Sequence, residues 1–230
     1  MDYSNLFQLL LGLMLGIGLS AAAGFRVFLP FLCLSISAYF HLWAIPSSMA
    51  WTGTLPALVL FATAALVETA AYYIPWVDNL LDTIATPAAA IAGSILTATA
   101  VGGEHVPPML QWSAGIVAGG TTAALVSGGT TVTRAASSLT TGGLGNPILS
   151  TMEIICSFFV SILALVLPIF AGITVVILTF FTGRFLWKRF RKKAKWRQKP
   201  CSSLSTRVSV CNNLFSLINT LKLLNAFLFF

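Results

Sequence analysis

No lysine precedes Lys188, and charged residues of either sign are scarce throughout the chain. Only 8% of the 230 residues are charged and 57% are hydrophobic, whereas a soluble domain carries about a quarter charged residues. Apolar runs repeatedly exceed the roughly 18 residues that mark a membrane-spanning helix. This scarcity of charge argues against a soluble domain and predicts an integral membrane protein whose main partner is the lipid bilayer.

Motifs for catalysis, metal binding and disulfide pairing are also missing. The sequence contains no Ser/His/Asp set, no nucleotide fingerprint and no GxxxxGK[ST] phosphate loop. Its cysteines show no CxxC or Cys/His spacing: Cys33, Cys156, Cys201 and Cys211. We therefore expect no metal, no cofactor and no enzyme activity. The N-terminus lacks a basic region before its long apolar stretch, so we expect a retained first span rather than a cleaved signal peptide.

Positive charge is concentrated in one segment. Nine of the 13 Lys and Arg residues lie in Arg184–Lys199, whereas residues 1–183 carry two Arg against six acids, a net charge of −4. A basic segment directly after an apolar stretch marks the cytoplasmic end of a membrane protein and lies near anionic lipid. We therefore predict a membrane contact here and no nucleic-acid partner.

The apolar runs predict an all-α, polytopic transmembrane bundle of about six spans. The predicted spans are 4–25, 27–45, 53–75, 84–101, 110–133 and 154–183, separated by proline-containing breaks. An even number of spans places both termini in the cytoplasm. Pro30 and the short gap before the second span allow either a crossing or a re-entrant hairpin, and Pro168 is expected to kink or divide the sixth.

Three regions follow from this reading. Residues 1–183 form the transmembrane bundle and residues 184–199 form a cytoplasmic basic segment. Residues 200–230 change composition toward Ser, Asn, Leu and Phe, which is typical of either an interfacial amphipathic helix or a dispensable tail.

Small residues recur every four positions in the first and fifth spans. Gly12, Gly16, Ser20 and Gly24 make one such stripe; Gly115, Gly119, Ala123, Ser127 and Thr131 make the other. Such stripes let helices approach closely in lipid, within a chain or between copies of a homo-oligomer. Each stripe ends near an arginine, which suggests either a decayed internal repeat or the common abundance of small residues in membrane helices.

Charges within the apolar region need a reason, because an arginine at mid-bilayer costs about 2.5–3.5 kcal/mol on insertion scales. In the six-span topology Arg26, Glu68, Arg134 and Glu153 all fall toward the outer side, so Arg–Glu pairs are expected. Asp78 and Asp82 lie in the adjoining segment, one helical turn apart on a short helix. Each charge also has a structural explanation, such as snorkelling of an arginine or a capping box formed by Ser150 and Glu153.

The segment 134–148 is rich in Gly, Ser and Thr. As a loop leading into a helix, it is typical either of an anion-holding turn assisted by Arg134 or of a plain flexible connection. Asn146, in the Asn-Pro pair before the predicted helix, joins the candidate ligand residues.

Three stretches together resemble a known family: SAAAGFRVFLPFL (20–32), ETAAYYIPWVDNLLDTIATPAAAIAG (68–93) and RAASSLTTGGLGNPILSTME (134–153). The chain resembles, over residues 10–175, the bacterial membrane proteins classified as domain of unknown function 4126. The resemblance implies an integral bacterial inner-membrane protein and supplies no activity.

Three functions remain open. The leading hypothesis is a small transporter or channel-like protein for an ion or small anionic solute. A non-catalytic membrane scaffold, in which the charges only join helices, is the alternative. The third, a lipid-modifying enzyme using Asp78, Asp82 and Arg134, depends on a common Asp-x-x-x-Asp spacing.

Overall fold

The computed structural model describes residues 3–42, 47–102, 106–141 and 145–196, and their regular structure is entirely helical. This confirms the all-α prediction. A 3₁₀ helix spans Ser47–Gly53 and a π-helix spans Gly115–Gly120. The α-helices are Tyr3–Phe25 (α1), Leu29–Tyr39 (α2), Leu55–Ala71 (α3), Pro75–Val101 (α4), Pro108–Ala114 (α5), Thr121–Thr141 (α6), Asn146–Val166 (α7) and Pro168–Trp196 (α8).

Four helical stretches of the described residues are long and apolar enough to cross a membrane. They are Leu6–Phe25, Leu80–Val101, Pro108–Thr141 and Asn146–Val166. Shorter apolar helices lie at Leu29–Tyr39, Leu55–Ala71 and Pro168–Phe181. Large apolar side chains such as Leu66 and Phe159 are about 70% exposed (70% and 72%), as expected for a bundle whose outside contacts lipid. The protein is therefore a polytopic helical membrane bundle.

The second predicted span, 27–45, is wrong in length. Helix α2 has 11 residues and measures about 16 Å, roughly half of the ~30 Å hydrocarbon core. The chain breaks between Phe25 and Leu29 because Pro30, which has no N–H to donate, begins a new helix instead of continuing the old one.

Three other predicted boundaries also require correction. The fourth span extends back to Pro75, so Asp78 and Asp82 belong to the start of long helix α4 rather than to a separate short helix. The fifth extends through Arg134 to Thr141, because hydroxyls such as that of Thr141 bond to carbonyls one turn back and so remain satisfied within a helix. The sixth begins earlier, at Asn146 instead of 154, and it is divided at Leu167 as predicted, since Pro168 disfavours helical geometry in the residue before it.

Helix α1 lies at the centre of the main unit and packs against α4, α6 and α7. Its small-residue stripe makes the contact with α4 close. A Cβ added at Gly16 would lie 2.7 Å from the Thr97 Cα, and the Ser20 hydroxyl donates to the Gly93 carbonyl at 2.8 Å. The stripe of α1 is therefore used inside the chain.

The second stripe also faces α4. A Cβ at Gly115 would lie 2.6 Å from the Ser94 carbonyl oxygen, and one at Gly93 would lie 2.6 Å from the Ala123 Cβ. The wide π-helical turn sits at this glycine-rich contact. The prediction that small residues permit close helix approach is confirmed, and both stripes meet the same partner helix.

The chain divides into two compact units at Val176 and Ile177, within α8. The main unit contains the core and every site residue discussed below. The tail, residues 200–230, lies outside the described residues.

Candidate functional site

Five ionisable side chains from distant parts of the sequence meet inside the main unit. Arg26 follows α1, Glu68 lies near the end of α3, Asp82 near the start of α4, Arg134 in α6 and Glu153 in α7. We call these five residues the charged cluster. Both arginines are almost fully buried, with 1% exposure for Arg26 and 2% for Arg134.

Arg134 and Glu153 form a two-pronged ion pair. The Arg134 Nε donates to Glu153 Oε1 at 3.0 Å, and Nη2 donates to Glu153 Oε2. The same Nη2 donates to the Ser150 hydroxyl at 3.0 Å. A guanidinium and a carboxylate match in this geometry, which makes such pairs strong and directional. This pair joins α6 to α7.

Arg26 approaches the same pair from the break between α1 and α2. Its Nη2 donates to the Ser150 carbonyl at 3.3 Å and lies 3.5 Å from Glu153 Oε2. Its Nε and Nη1 have no hydrogen-bond partner among the described residues, although both atoms are buried. Leaving a buried charged donor unpaired costs free energy, so the cluster is incompletely satisfied.

Tyr72 provides an aromatic contact for both cations. The guanidinium carbon lies 3.7 Å from the ring centroid for Arg26 and 4.4 Å for Arg134. Cation–π contacts contribute up to about 2 kcal/mol when desolvated. The ring therefore stabilises two like charges that would otherwise repel each other in the bundle.

Glu68 is held by backbone rather than by a guanidinium. Its Oε1 accepts the Val27 N–H at 2.8 Å and its Oε2 accepts the Phe28 N–H at 3.0 Å. These N–H groups precede α2, where a helix leaves donors without internal partners and favours negative charge. The sequence left open which arginine pairs with which glutamate. In the structure Arg134 pairs with Glu153, whereas Glu68 caps the second half of a broken helix, close to Arg26.

Asp82 completes the cluster from α4. Its Oδ1 lies 3.7 Å from Arg134 Nη1, and its side chain is 18% exposed, compared with 10% for Glu153. Asp78 lies one turn earlier in the same helix, and its side chain is outside the described part. The two aspartates therefore share α4, and the structure places Asp82 at the cluster.

A small cavity lies beside these charges. Its volume is about 10 Å³, the space of one water molecule. Four members of the charged cluster line it together with Tyr72: Glu68, Asp82, Arg134 and Glu153. Much of the remaining wall consists of small or hydroxyl-bearing residues, among them Gly24, Ser127, Thr130 and Thr131.

Two sequence interpretations of the region around α7 are wrong. Helix α7 begins at Asn146, so Ser150 and Glu153 lie inside it and do not form a capping box. Residues 134–141 are helical rather than a loop around an anion. Asn146 donates from Nδ2 to the Ser138 hydroxyl at 3.1 Å; it joins the ends of α6 and α7 and does not line the cavity.

Sequence reasoning did not identify Tyr72, Ser150 or the two backbone N–H groups as parts of the site. Tyr72 is four residues after Glu68 and Ser150 three before Glu153, spacings that place each pair on one helix face. Those spacings were an available signal. No sequence signal points to the N–H groups of Val27 and Phe28, because they are free to bond a side chain only where the helix breaks between α1 and α2.

The fold and the site together define a polytopic helical membrane protein with a buried, mixed-charge cluster beside a small cavity. Residues 13–188 match the model of the family described as Domain of unknown function (DUF4126). The chain belongs to this family, which confirms the resemblance seen in the three sequence stretches. No curated protein and no solved structure matches the chain.

Proposed function

We propose that this protein is a small transporter or channel-like protein that binds and moves an ion or a small anionic solute through the charged cluster. The observation that carries the proposal is the incomplete satisfaction of Arg26, a nearly fully buried cation with two unpartnered nitrogens among the described residues. Intramembrane charges are costly and mark ion and substrate pathways in membrane proteins.

A purely structural clamp would favour a different arrangement. Buried polar networks that only hold helices together satisfy nearly all of their donors and acceptors. Here the Arg134–Glu153 pair is satisfied, whereas the adjacent Arg26 is not, and a polar cavity lies at the pair. This contrast supports a site that exchanges a ligand.

The proposed location is the bacterial inner membrane, with both termini in the cytoplasm and the charged cluster toward the outer side. The basic segment after Gly183 supports this orientation through the positive-inside rule. A C-terminal reporter that is active only in the cytoplasm tests it, and activity of a periplasm-specific reporter at that position would contradict it.

The function is tested with purified protein in liposomes and a panel of ions and small anionic solutes. Wild-type protein should dissipate at least one imposed gradient faster than protein-free liposomes. Glu68→Gln should slow that flux, because an amide group supplies only one acceptor for the two N–H groups of Val27 and Phe28. Thr63→Val is a control on α3, since the Thr63 hydroxyl is exposed and bonds to its own helix.

Identical fluxes for wild type and Glu68→Gln across the panel would remove the support for this site. The scaffold alternative is favoured by the ion pair that joins α6 to α7. It predicts a stable complex with a second membrane protein in crosslinking and pull-down experiments, together with no flux of any solute in the panel.

A further inference from the structure

We infer that the substrate of the charged cluster is a small carboxylate anion, and that it binds beside Arg26 at the start of α2 by displacing the side chain of Glu68. The inference rests on the proposed function, because it names the substrate class of the same site. Binding is a non-covalent exchange in which one carboxyl group takes over the hydrogen bonds of another.

Arg26 has buried donors that lack an acceptor. Its side chain is 1% exposed, and neither its Nε nor its Nη1 has a hydrogen-bond partner among the described residues. A guanidinium carries only N–H donors, so only a group with lone pairs satisfies these two nitrogens. A metal cation or a proton offers no lone pair, whereas an anion offers lone pairs and the opposite charge. The chemistry of Arg26 therefore indicates an anion.

The start of α2 is a place for an anion that the protein itself fills. Glu68 Oε1 accepts the Val27 N–H at 2.8 Å, and Oε2 accepts the Phe28 N–H at 3.0 Å. Helix α2 has 11 residues, and the N-terminus of a helix attracts negative groups through its free N–H groups and its dipole. Since each N–H takes one oxygen of the same carboxyl group, the geometry selects a carboxylate over a single-atom anion.

Arg26 and the carboxyl group of Glu68 belong to one site. The guanidinium carbon of Arg26 lies 3.7 Å from the ring centroid of Tyr72, which follows Glu68 by one helical turn. Arg26 and Glu68 also lie within electrostatic range of each other. A carboxylate at the start of α2 therefore has the unpartnered nitrogens of Arg26 nearby, and the planar guanidinium matches a carboxylate in shape.

A free carboxylate gains contacts that Glu68 lacks. Glu68 is tethered to α3, and the unpartnered nitrogens of Arg26 show that its carboxyl group does not reach them. A free anion has no such tether, so it can accept hydrogen bonds from the start of α2 and from Arg26 together. The small cavity borders Val27, Glu68 and Tyr72, which gives the displaced side chain adjacent free space. When Glu68 returns to the two N–H groups, it expels the anion.

The test measures formate binding to purified full-length protein in detergent, because formate is the smallest carboxylate. Calorimetric titration at constant ionic strength should show saturable binding to wild type. Glu68→Gln keeps the side-chain volume but holds the two N–H groups less well, so formate should bind about tenfold more tightly. Tighter binding slows release of the anion, in agreement with the slower flux expected of Glu68→Gln.

Variants of arginine test the other half of the site. Arg26→Lys keeps the positive charge but not the planar fork, so it should weaken formate binding about tenfold. Arg184→Lys is the matched control, because Arg184 is exposed and lies in the other compact unit. Thr63→Val, at an exposed position of α3, is the control for Glu68→Gln. Both controls should bind formate like wild type.

Four outcomes overturn the inference. Flux of another ion by wild type without saturable formate binding would overturn the carboxylate assignment and leave the proposed function standing. Equal or weaker binding in Glu68→Gln would overturn the displacement of Glu68, and binding unaffected by Arg26→Lys would overturn the role of Arg26. No formate binding and no flux of any panel solute would overturn both the inference and the proposed function.

A second readout needs only wild type and covers the case in which a variant fails to fold. Val27-Phe28 is the only Val-Phe pair in the sequence, so carbon-13 carbonyl valine combined with nitrogen-15 phenylalanine selects the Phe28 amide in an NMR spectrum. That signal should shift with formate and stay in place with formamide, which carries no negative charge. An unchanged Phe28 signal at saturating formate would overturn the inference.

Discussion

The ion pair between Arg134 and Glu153 brings opposite charges into contact while both residues are at least nine-tenths buried. Burying such a pair requires the loss of the water around both ions, so the pair is weak evidence of net stabilisation. Its main physical consequence is mutual dependence: each charge is tolerable inside the bundle because the other is present.

We predict that single and double neutralisation of this pair differ sharply. Glu153→Gln alone removes the carboxylate that both Arg134 and Arg26 approach and should destabilise the protein by about 3–5 kcal/mol. The double variant Arg134→Gln with Glu153→Gln should recover most of that loss. Unfolding of the purified protein in detergent measures both, and strictly additive effects would contradict the observed contact.

Tyr72 gives a second prediction at the residue scale. Tyr72→Phe keeps an aromatic face for the two guanidiniums and should change the unfolding free energy little. Tyr72→Leu removes both cation–π contacts and should destabilise by about 2 kcal/mol more than the phenylalanine variant. Equal stabilities of the two variants would show that the ring acts only through its apolar volume.

At the scale of elements, the close contact between α1 and α4 explains how the cluster is positioned. Glycines on both helices let the backbones approach, and Ser20 bonds to the Gly93 carbonyl and lies 2.8 Å from the Thr97 hydroxyl. This contact fixes the end of α1, from which Arg26 enters the cluster. Asp82 reaches the same region from the beginning of α4.

We predict that Gly16→Ala is destabilising, because its new Cβ would lie 2.7 Å from the Thr97 Cα. Gly129→Ala is the matched control, since a Cβ there meets nothing within 4 Å. The control should be neutral or stabilising by up to about 1 kcal/mol through helix propensity. Melting temperatures in one detergent compare the two, and equal shifts would contradict the close approach.

The sequence predicted well that the secondary structure is helical, but it predicted poorly the residues at which the helices begin and end. Apolar length and proline positions correctly predicted an all-helical bundle and the break at Pro168. Residues 134–141 were misjudged because Gly, Ser and Thr are typical of loops, yet their hydroxyls bond within the helix. Local composition does not show that these hydroxyl groups are hydrogen-bonded to carbonyl groups of their own helix.

The sequence indicated which residues belong to the site, but it did not indicate which of them contact each other. Confinement of charge to a few positions identified Arg26, Glu68, Arg134 and Glu153 as partners. The choice of partner depends on helix register and side-chain reach, which a single sequence does not fix. The contact of Glu68 with the Val27 and Phe28 N–H groups is the clearest example.

At the scale of the whole molecule, the account requires the break after α1 and the end of α3 to lie at one side of the membrane. Phe28 is 38% exposed and Tyr73 48% exposed, so neither position is covered by the rest of the protein. In a background with the native cysteines replaced by serine, both should react with a membrane-impermeant thiol reagent from the same side. Labelling from opposite sides would contradict this arrangement.

The central claim is that the charged cluster moves an ion and does more than hold helices together. The double variant Arg134→Gln with Glu153→Gln tests it most directly, because it removes one charge of each sign and leaves the net charge of the cluster unchanged. Flux of the transported ion is measured in liposomes beside wild type, after confirming that both proteins have similar melting temperatures. The account predicts a folded protein that has lost the flux, and a folded variant with wild-type flux would contradict it.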